Sequence, residues 1–120
     1  MGDLAVKVLI NGDPAELELT EAKRFSQRFL GLTVFSHLPA DRGLLFRRCR
    51  SIHMFFMRFP IDVVFLDRSG GVVRICESLK PWSMAFSAKA DTVIELAANV
   101  ARAKGFNEGC YVQIVDAAGC

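Results

Sequence analysis

Residues 51–67 read Ser-Ile-His-Met-Phe-Phe-Met-Arg-Phe-Pro-Ile-Asp-Val-Val-Phe-Leu-Asp, the most apolar region of the chain. The polar groups within it, His53, Arg58 and Asp62, stand isolated among residues that exclude water. A polar group in such surroundings must find a partner or cost about 1–3 kcal/mol. Pro60 interrupts the run and predicts two strands, over 52–57 and 61–66. Residues 67–71, Asp-Arg-Ser-Gly-Gly, then predict a tight turn, with a return strand over 72–76. The 61–66 arm is apolar on both faces and so is expected to be covered on both.

Working outward, residues 4–10 alternate loosely until Asn11-Gly12-Asp13-Pro14 breaks them, and 15–19 alternate Leu with Glu. This pattern predicts a hairpin with one wet face. Thr20 and Glu21 have the chemistry of a helix start. Ala22, Phe25, Phe29 and Leu32 then share one helical face, with Lys23, Arg24, Gln27 and Arg28 opposite. A loop over 38–43 leads to a strand beginning at Gly43. Residues 77–90 lack periodicity and predict a flap whose Pro81, Trp82, Met84 and Phe86 fold back on the body. A strand over 92–96 follows. A short helix is expected over 97–104, with Asn99 as its cap and Gly105 just past its end. The last strand is expected over 111–115. The expected fold is α+β and mostly β: a small barrel-like or curled antiparallel sheet, with one main covering helix and a short second helix. The chain, 1–120, reads as a single domain.

Hydrophobic residues make up 52% of the 120, enough for a core without a disulfide or metal staple. Fifteen basic against thirteen acidic residues leave a net charge of +2, too small an excess for a general nucleic-acid binder. Cys49, Cys76, Cys110 and Cys120 form no C-x-x-C pair, and no zinc spacing includes them. They read as small buried hydrophobes and a terminal thiol. No apolar run reaches membrane-spanning length, and the N-terminus lacks leader chemistry. These features predict a cytoplasmic protein that needs no metal or cofactor and does not engage a membrane.

The series Gly31-Leu32, Leu38-Pro39-Ala40-Asp41, Gly43 to Phe46, Phe56-Met57-Arg58-Phe59-Pro60-Ile61-Asp62, Gly71-Val72-Val73, Pro81-Trp82 and Val93-Ile94-Glu95-Leu96, followed by Gly105 and Gly109, resembles the DUF192 family. The resemblance runs from about residue 20 to 114. It implies a compact β-rich α+β domain, in a family of small bacterial and archaeal proteins without an assigned activity, some of them exported. Two departures stand out. Ala97-Ala98-Asn99 replaces the family's Pro-Ala-Gly step, where Asn still tolerates a left-handed backbone. Gly109-Cys110 replaces its late Gly-Asp, removing a carboxylate.

Nothing in the chain has the pattern of a nucleophile elbow, a P-loop or a dinucleotide-binding loop. Arg42, Arg47, Arg48, Arg50 and Arg58 form a run without carboxylates between Asp41 and Asp62, suited to gripping an anion. Trp82, with Met84 and Phe86, either anchors its loop or lines a ligand slot. The favoured reading is a non-enzymatic domain. It binds a small anionic ligand or a peptide segment beside the central hairpin, through Arg48, Arg50, Arg58 and Trp82. The alternatives are a hydrolase or lyase, with His53 as general base and Asp62 orienting it, and an assembly partner using a strand edge.

Overall fold

The computed structural model describes residues 5–21, 38–54 and 58–116. Nine strands fill them: β1 (Ala5–Ile10), β2 (Asp13–Glu21), β3 (Arg42–Arg47), β4 (Ser51–His53), β5 (Ile61–Leu66), β6 (Val72–Leu79), β7 (Met84–Phe86), β8 (Thr92–Ala97) and β9 (Val112–Asp116). Seven form one sheet in the order β6-β5-β8-β3-β2-β1-β9, and β4 pairs with β7 in a separate two-stranded ribbon. All pairings are antiparallel except β2 with β3, which run parallel.

The hairpin β1–β2 forms where the alternation places it. Val6, Val8 and Ile10 are buried from β1, and Leu17 and Leu19 from β2. The turn between them puts Asn11 at φ 50° and Gly12 at φ 89°, the left-handed pair that suits a two-residue hairpin. Asn11 also ties this turn to the start of β9. Its N–H donates to the Tyr111 carbonyl at 2.7 Å, and its Oδ1 accepts the Tyr111 N–H at 2.8 Å.

Strand β5 is buried at all six positions. Its side chains divide between two clusters, one on each face of the sheet. Val64 and Leu66 join Val6, Val8, Leu19, Leu45, Ile94, Leu96 and Phe106. Ile61, Val63 and Phe65 join Phe46, Ile52, Met54, Ala85 and Val93. The ribbon contributes Ile52 and Ala85 and so covers the second face. Residues 98–110 bring Val100, Ala101, Phe106 and Cys110 onto the first.

The structure corrects the expected fold in four ways. Among the described residues the fold is all-β rather than α+β. The sheet is mixed rather than antiparallel. It is not closed into a barrel: among the described residues its edges, next to β6 and β9, meet near one end through the bridge Gly71–Tyr111. The covering helices do not form among the described residues. Most of the first expected helix lies outside them, but its predicted start, Thr20 and Glu21, belongs to β2 and pairs with Leu44 and Leu45 of β3. Cross-strand pairing there overrides local capping chemistry. The second, over 97–104, is a succession of turns. Asn99 sits at φ 70°, whereas a helix cap takes an extended backbone. Among the described residues no helix is long and apolar enough to cross a membrane.

Gly70 secures the meeting of the two sheet edges. Its carbonyl accepts the Val112 N–H at 2.8 Å, its φ is +98°, and an added Cβ would collide with the Val112 carbonyl oxygen. Gly70→Ala is therefore expected to destabilise the protein by about 1–3 kcal/mol through left-handed strain and the clash. Urea denaturation checks this; an unchanged midpoint would mean the edges do not need that approach.

Candidate functional site

Asp62 is fully buried. On β5 it alternates with Ile61 and Val63, so it faces the first cluster rather than the one beneath the ribbon. Its carboxylate accepts three backbone N–H groups. Ser78 and Asn99 donate to Oδ1 at 2.8 and 3.0 Å, and Ala101 donates to Oδ2 at 2.8 Å. Ser78 and Asn99 both have left-handed backbones, at φ 51° and 70°. One oxygen thus clamps two strained residues and fastens loop 98–101 to β6. Arg102 adds an exposed layer to the same junction, pairing with Glu77 of β6 at 2.8 Å and Glu108 at 3.1 Å. The arrangement is a structural pin.

His53 lies on the other side of the molecule. It is exposed on β4, in the ribbon that covers the second face. The structure therefore places His53 and Asp62 on opposite sides of the sheet, with both Asp62 oxygens occupied by main-chain donors. An orienting role for Asp62 toward His53 has no geometry behind it.

The arginines separate. Arg42 pairs with Glu18 at 3.2 Å and Arg47 with Glu21 at 3.0 Å. Arg48, at φ 55°, follows β3 in a bend and is exposed, so the chain does not run on as a strand from Arg47 to Arg50. Arg50 is exposed at the base of the ribbon, where its carbonyl accepts the Ser87 N–H at 2.9 Å. Arg58 is exposed in the bend before β5. Of the predicted ligand-binding residues, Arg50 and Trp82 thus stand against the ribbon, Arg48 two residues before Arg50, and Arg58 in the bend before β5.

The expected flap contains the end of β6 and the whole of β7. Residues 84–86 form β7, and the side chain that turns inward is Ala85, 6% exposed. Met84 and Phe86 point outward at 66% and 55% exposure, and Trp82, in the preceding turn at φ 69°, is 60% exposed. The expectation that these side chains fold back on the body is corrected: β7 pairing spends its inward position on alanine. Across the ribbon, Ser51 lies opposite Phe86 and His53 opposite Met84. Arg74 of β6 donates to the Phe86 carbonyl, placing a further guanidinium at that end.

One group went unnoticed in the sequence except as part of a motif. Glu95, in the apolar run Val93-Ile94-Glu95-Leu96, sits in β8 between Leu44 of β3 and Val63 of β5 and is 8% exposed. It shares a face with Val93 and so looks into the second cluster. Burial alone pushes its carboxyl up from 4.5 to about 7. The signal available in the sequence was a lone carboxylate in an otherwise apolar strand.

A crystal structure of a protein of unknown function from Novosphingobium aromaticivorans DSM 12444 has a TM-score of 0.79 at 19% identity, covering 92% of this chain and 84% of that one. A protein from Sinorhizobium meliloti 1021, described as a "putative transcription regulator", has a TM-score of 0.80 at 25% identity, covering 94% of each chain. These likenesses speak to the fold. No curated protein matches the chain. The family profile of DUF192, described as an uncharacterized ACR, matches residues 6–114, and the chain therefore belongs to the DUF192 family.

Proposed function

We propose that this protein is a non-enzymatic binding domain that holds an anionic ligand on the outer face of the β4–β7 ribbon. One observation carries the reading. Trp82, Met84 and Phe86 are exposed together on a part of the chain that has cations and no carboxylates. Besides Arg47, which Glu21 holds, residues 47–60 and 78–90 contain Arg48, Arg50, Arg58, Lys80 and Lys89, and neither segment contains Asp or Glu. Of the acids that bound the second segment, Glu77 is engaged by Arg102, and the Asp91 carboxylate accepts the Thr92 hydroxyl at 3.4 Å, beyond the end of β7. Arginine supplies a planar fork for carboxylate or phosphate, and the apolar row supplies area that gains by leaving water.

The single arginine pairs are each worth about 0.2–1 kcal/mol at an exposed site, so the apolar row must carry much of the affinity. A cytoplasmic setting is part of the proposal, supported by the free thiols of Cys49, Cys76 and Cys110. The description of the Sinorhizobium protein raises DNA as a ligand; the modest net charge of +2 weighs against it here.

The test is a thermal-shift screen against anionic metabolites, nucleotides, acidic peptides and a DNA duplex. A ligand at a hundredfold over its Kd stabilises by about 2.7 kcal/mol and raises Tm accordingly. The expected result is a hit from the metabolites, nucleotides or peptides that disappears when Arg48→Ala and Arg50→Ala are combined, with the Tm of the free protein unchanged. A hit that survives the double substitution would move the site off the ribbon. A hit by DNA alone would overturn the reading.

A further inference from the structure

Resting on the ribbon as the binding face, we propose that its occupant is an extended segment of a partner protein in which apolar and acidic residues alternate, added as a third strand beside β7. The edge comes first. Among the described residues the ribbon has two strands, so β7 has β4 on one side and no strand on the other. The N–H of Met54 donates to the Ser83 carbonyl and that of Ser87 to the Arg50 carbonyl. This phase of an antiparallel pair turns the main-chain groups of residues 83, 85 and 87 toward β4, and those of Met84 and Phe86 away from it. The Phe86 carbonyl meets the Arg74 guanidinium, which marks the end of the open edge. The Met84 N–H and carbonyl lie before it, in position to pair with an incoming chain.

The side chains supply the pattern. Met84 and Phe86 stand on one face, two residues and roughly 6–7 Å apart, with Ala85 between them on the other. An added strand has the same period, so its apolar residues fall beside Met84 and Phe86 on the outer face. Its intervening residues point to the inner side of the edge, where Arg74 reaches Phe86. Carboxylates there meet a guanidinium, and Arg50 stands at the same end. Alternation of apolar and acidic residues is what this edge selects.

Other occupants fit less well. The exposed apolar side chains of β7 form a row rather than a plateau, because Ser51 and His53 lie opposite Phe86 and Met84. A bilayer would have to strip water from both. A second copy of the ribbon would bring Arg48, Arg50, Lys80 and Lys89 against like charges.

The test uses two dye-labelled peptides of identical composition, one alternating Glu with Val and Phe, the other with the acids and apolar residues in separate blocks. Fluorescence anisotropy with the full chain is expected to show the alternating peptide binding at least about tenfold more tightly. Phe86→Ser, and separately N-methylation of the peptide amides on its pairing edge, should each remove most of that difference. Equal affinities for the two isomers would overturn strand addition while leaving an anionic ligand on the ribbon intact. Binding of citrate or of phosphatidylglycerol vesicles, with neither peptide bound, would overturn the peptide as occupant. Failure of every ligand would sink both this inference and the reading beneath it.

Discussion

Glu95→Gln is expected to make the protein more stable above pH 7, by about 3 kcal/mol, and to flatten its stability between about pH 4.5 and 7. The Glu95 carboxyl is buried between Leu44 and Val63, and burial disfavours its charge, pushing it up from 4.5 to about 7. Below 4.5 the group is neutral in both folded and unfolded chains and has no effect on the balance. Between 4.5 and 7 the unfolded chain releases the proton while the folded chain keeps it, so the folded state binds more protons and stability falls as pH rises. Above 7 both forms are ionised and the full desolvation cost is present. Glutamine keeps the shape and never ionises. Urea denaturation at pH 5, 6, 7 and 8 reads the effect. A variant with the same pH slope as the wild type would mean that Glu95 is not the titrating group.

Asp62→Ala should be the most damaging single change in the described part of the chain, costing about 3–5 kcal/mol. Three main-chain N–H groups, from Ser78, Asn99 and Ala101, lose their acceptor at once. Two of those residues hold left-handed backbones that cost about 1 kcal/mol or more each, and the carboxylate is what holds them there. Asp62→Asn should fall between, since its amide keeps one acceptor but turns N–H donors toward N–H donors. Hydrogen exchange locates the damage. The amides of residues 78, 99 and 101 should lose protection first. Uniform loss across the sheet, or none, would contradict the pin. Because neither substitution touches the ribbon, an Asp62→Asn chain that still folds should keep its ligand affinity.

Much of the strand order was legible because its signals are local. Alternation with Asn11-Gly12 marked β1 and β2, and Asp67 to Gly71 marked the β5–β6 turn, where Asp67 Oδ1 accepts the Ser69 and Gly71 N–H groups. The parallel β2–β3 pairing was not legible, since no periodicity encodes which distant strand Thr20 and Glu21 meet. The short helix over 97–104 failed for a reason outside its own segment. Asp62, 37 and 39 residues away from Asn99 and Ala101, takes their N–H groups. The isolation of Asp62 in an apolar strand announced that it needed partners; the identity of those partners was a tertiary fact.

The binding face was half-legible. The run of arginines and the aromatic segment both stand out in the sequence, but apolar side chains read as inward by default. That Ala85 takes the inward position, leaving Met84 and Phe86 outside, follows only from the pairing of Ile52 with Ala85. Strict alternation sends Arg48 and Arg50 to one face and Arg47, held by Glu21, to the other, but β3 ends at Arg47 and the left-handed backbone of Arg48 stops the pattern there.

The most direct measurement of the central claim uses Trp82, the chain's one tryptophan, which stands at 60% exposure on the proposed face. Its emission should be that of a solvated indole in the free protein and strongly quenched by iodide. Titration with whichever anionic ligand raises Tm should shift the emission to the blue and protect it from iodide, saturating at the Kd found by anisotropy. A ligand that binds with the same Kd while leaving Trp82 emission and quenching untouched would contradict the account, placing the site elsewhere on the molecule.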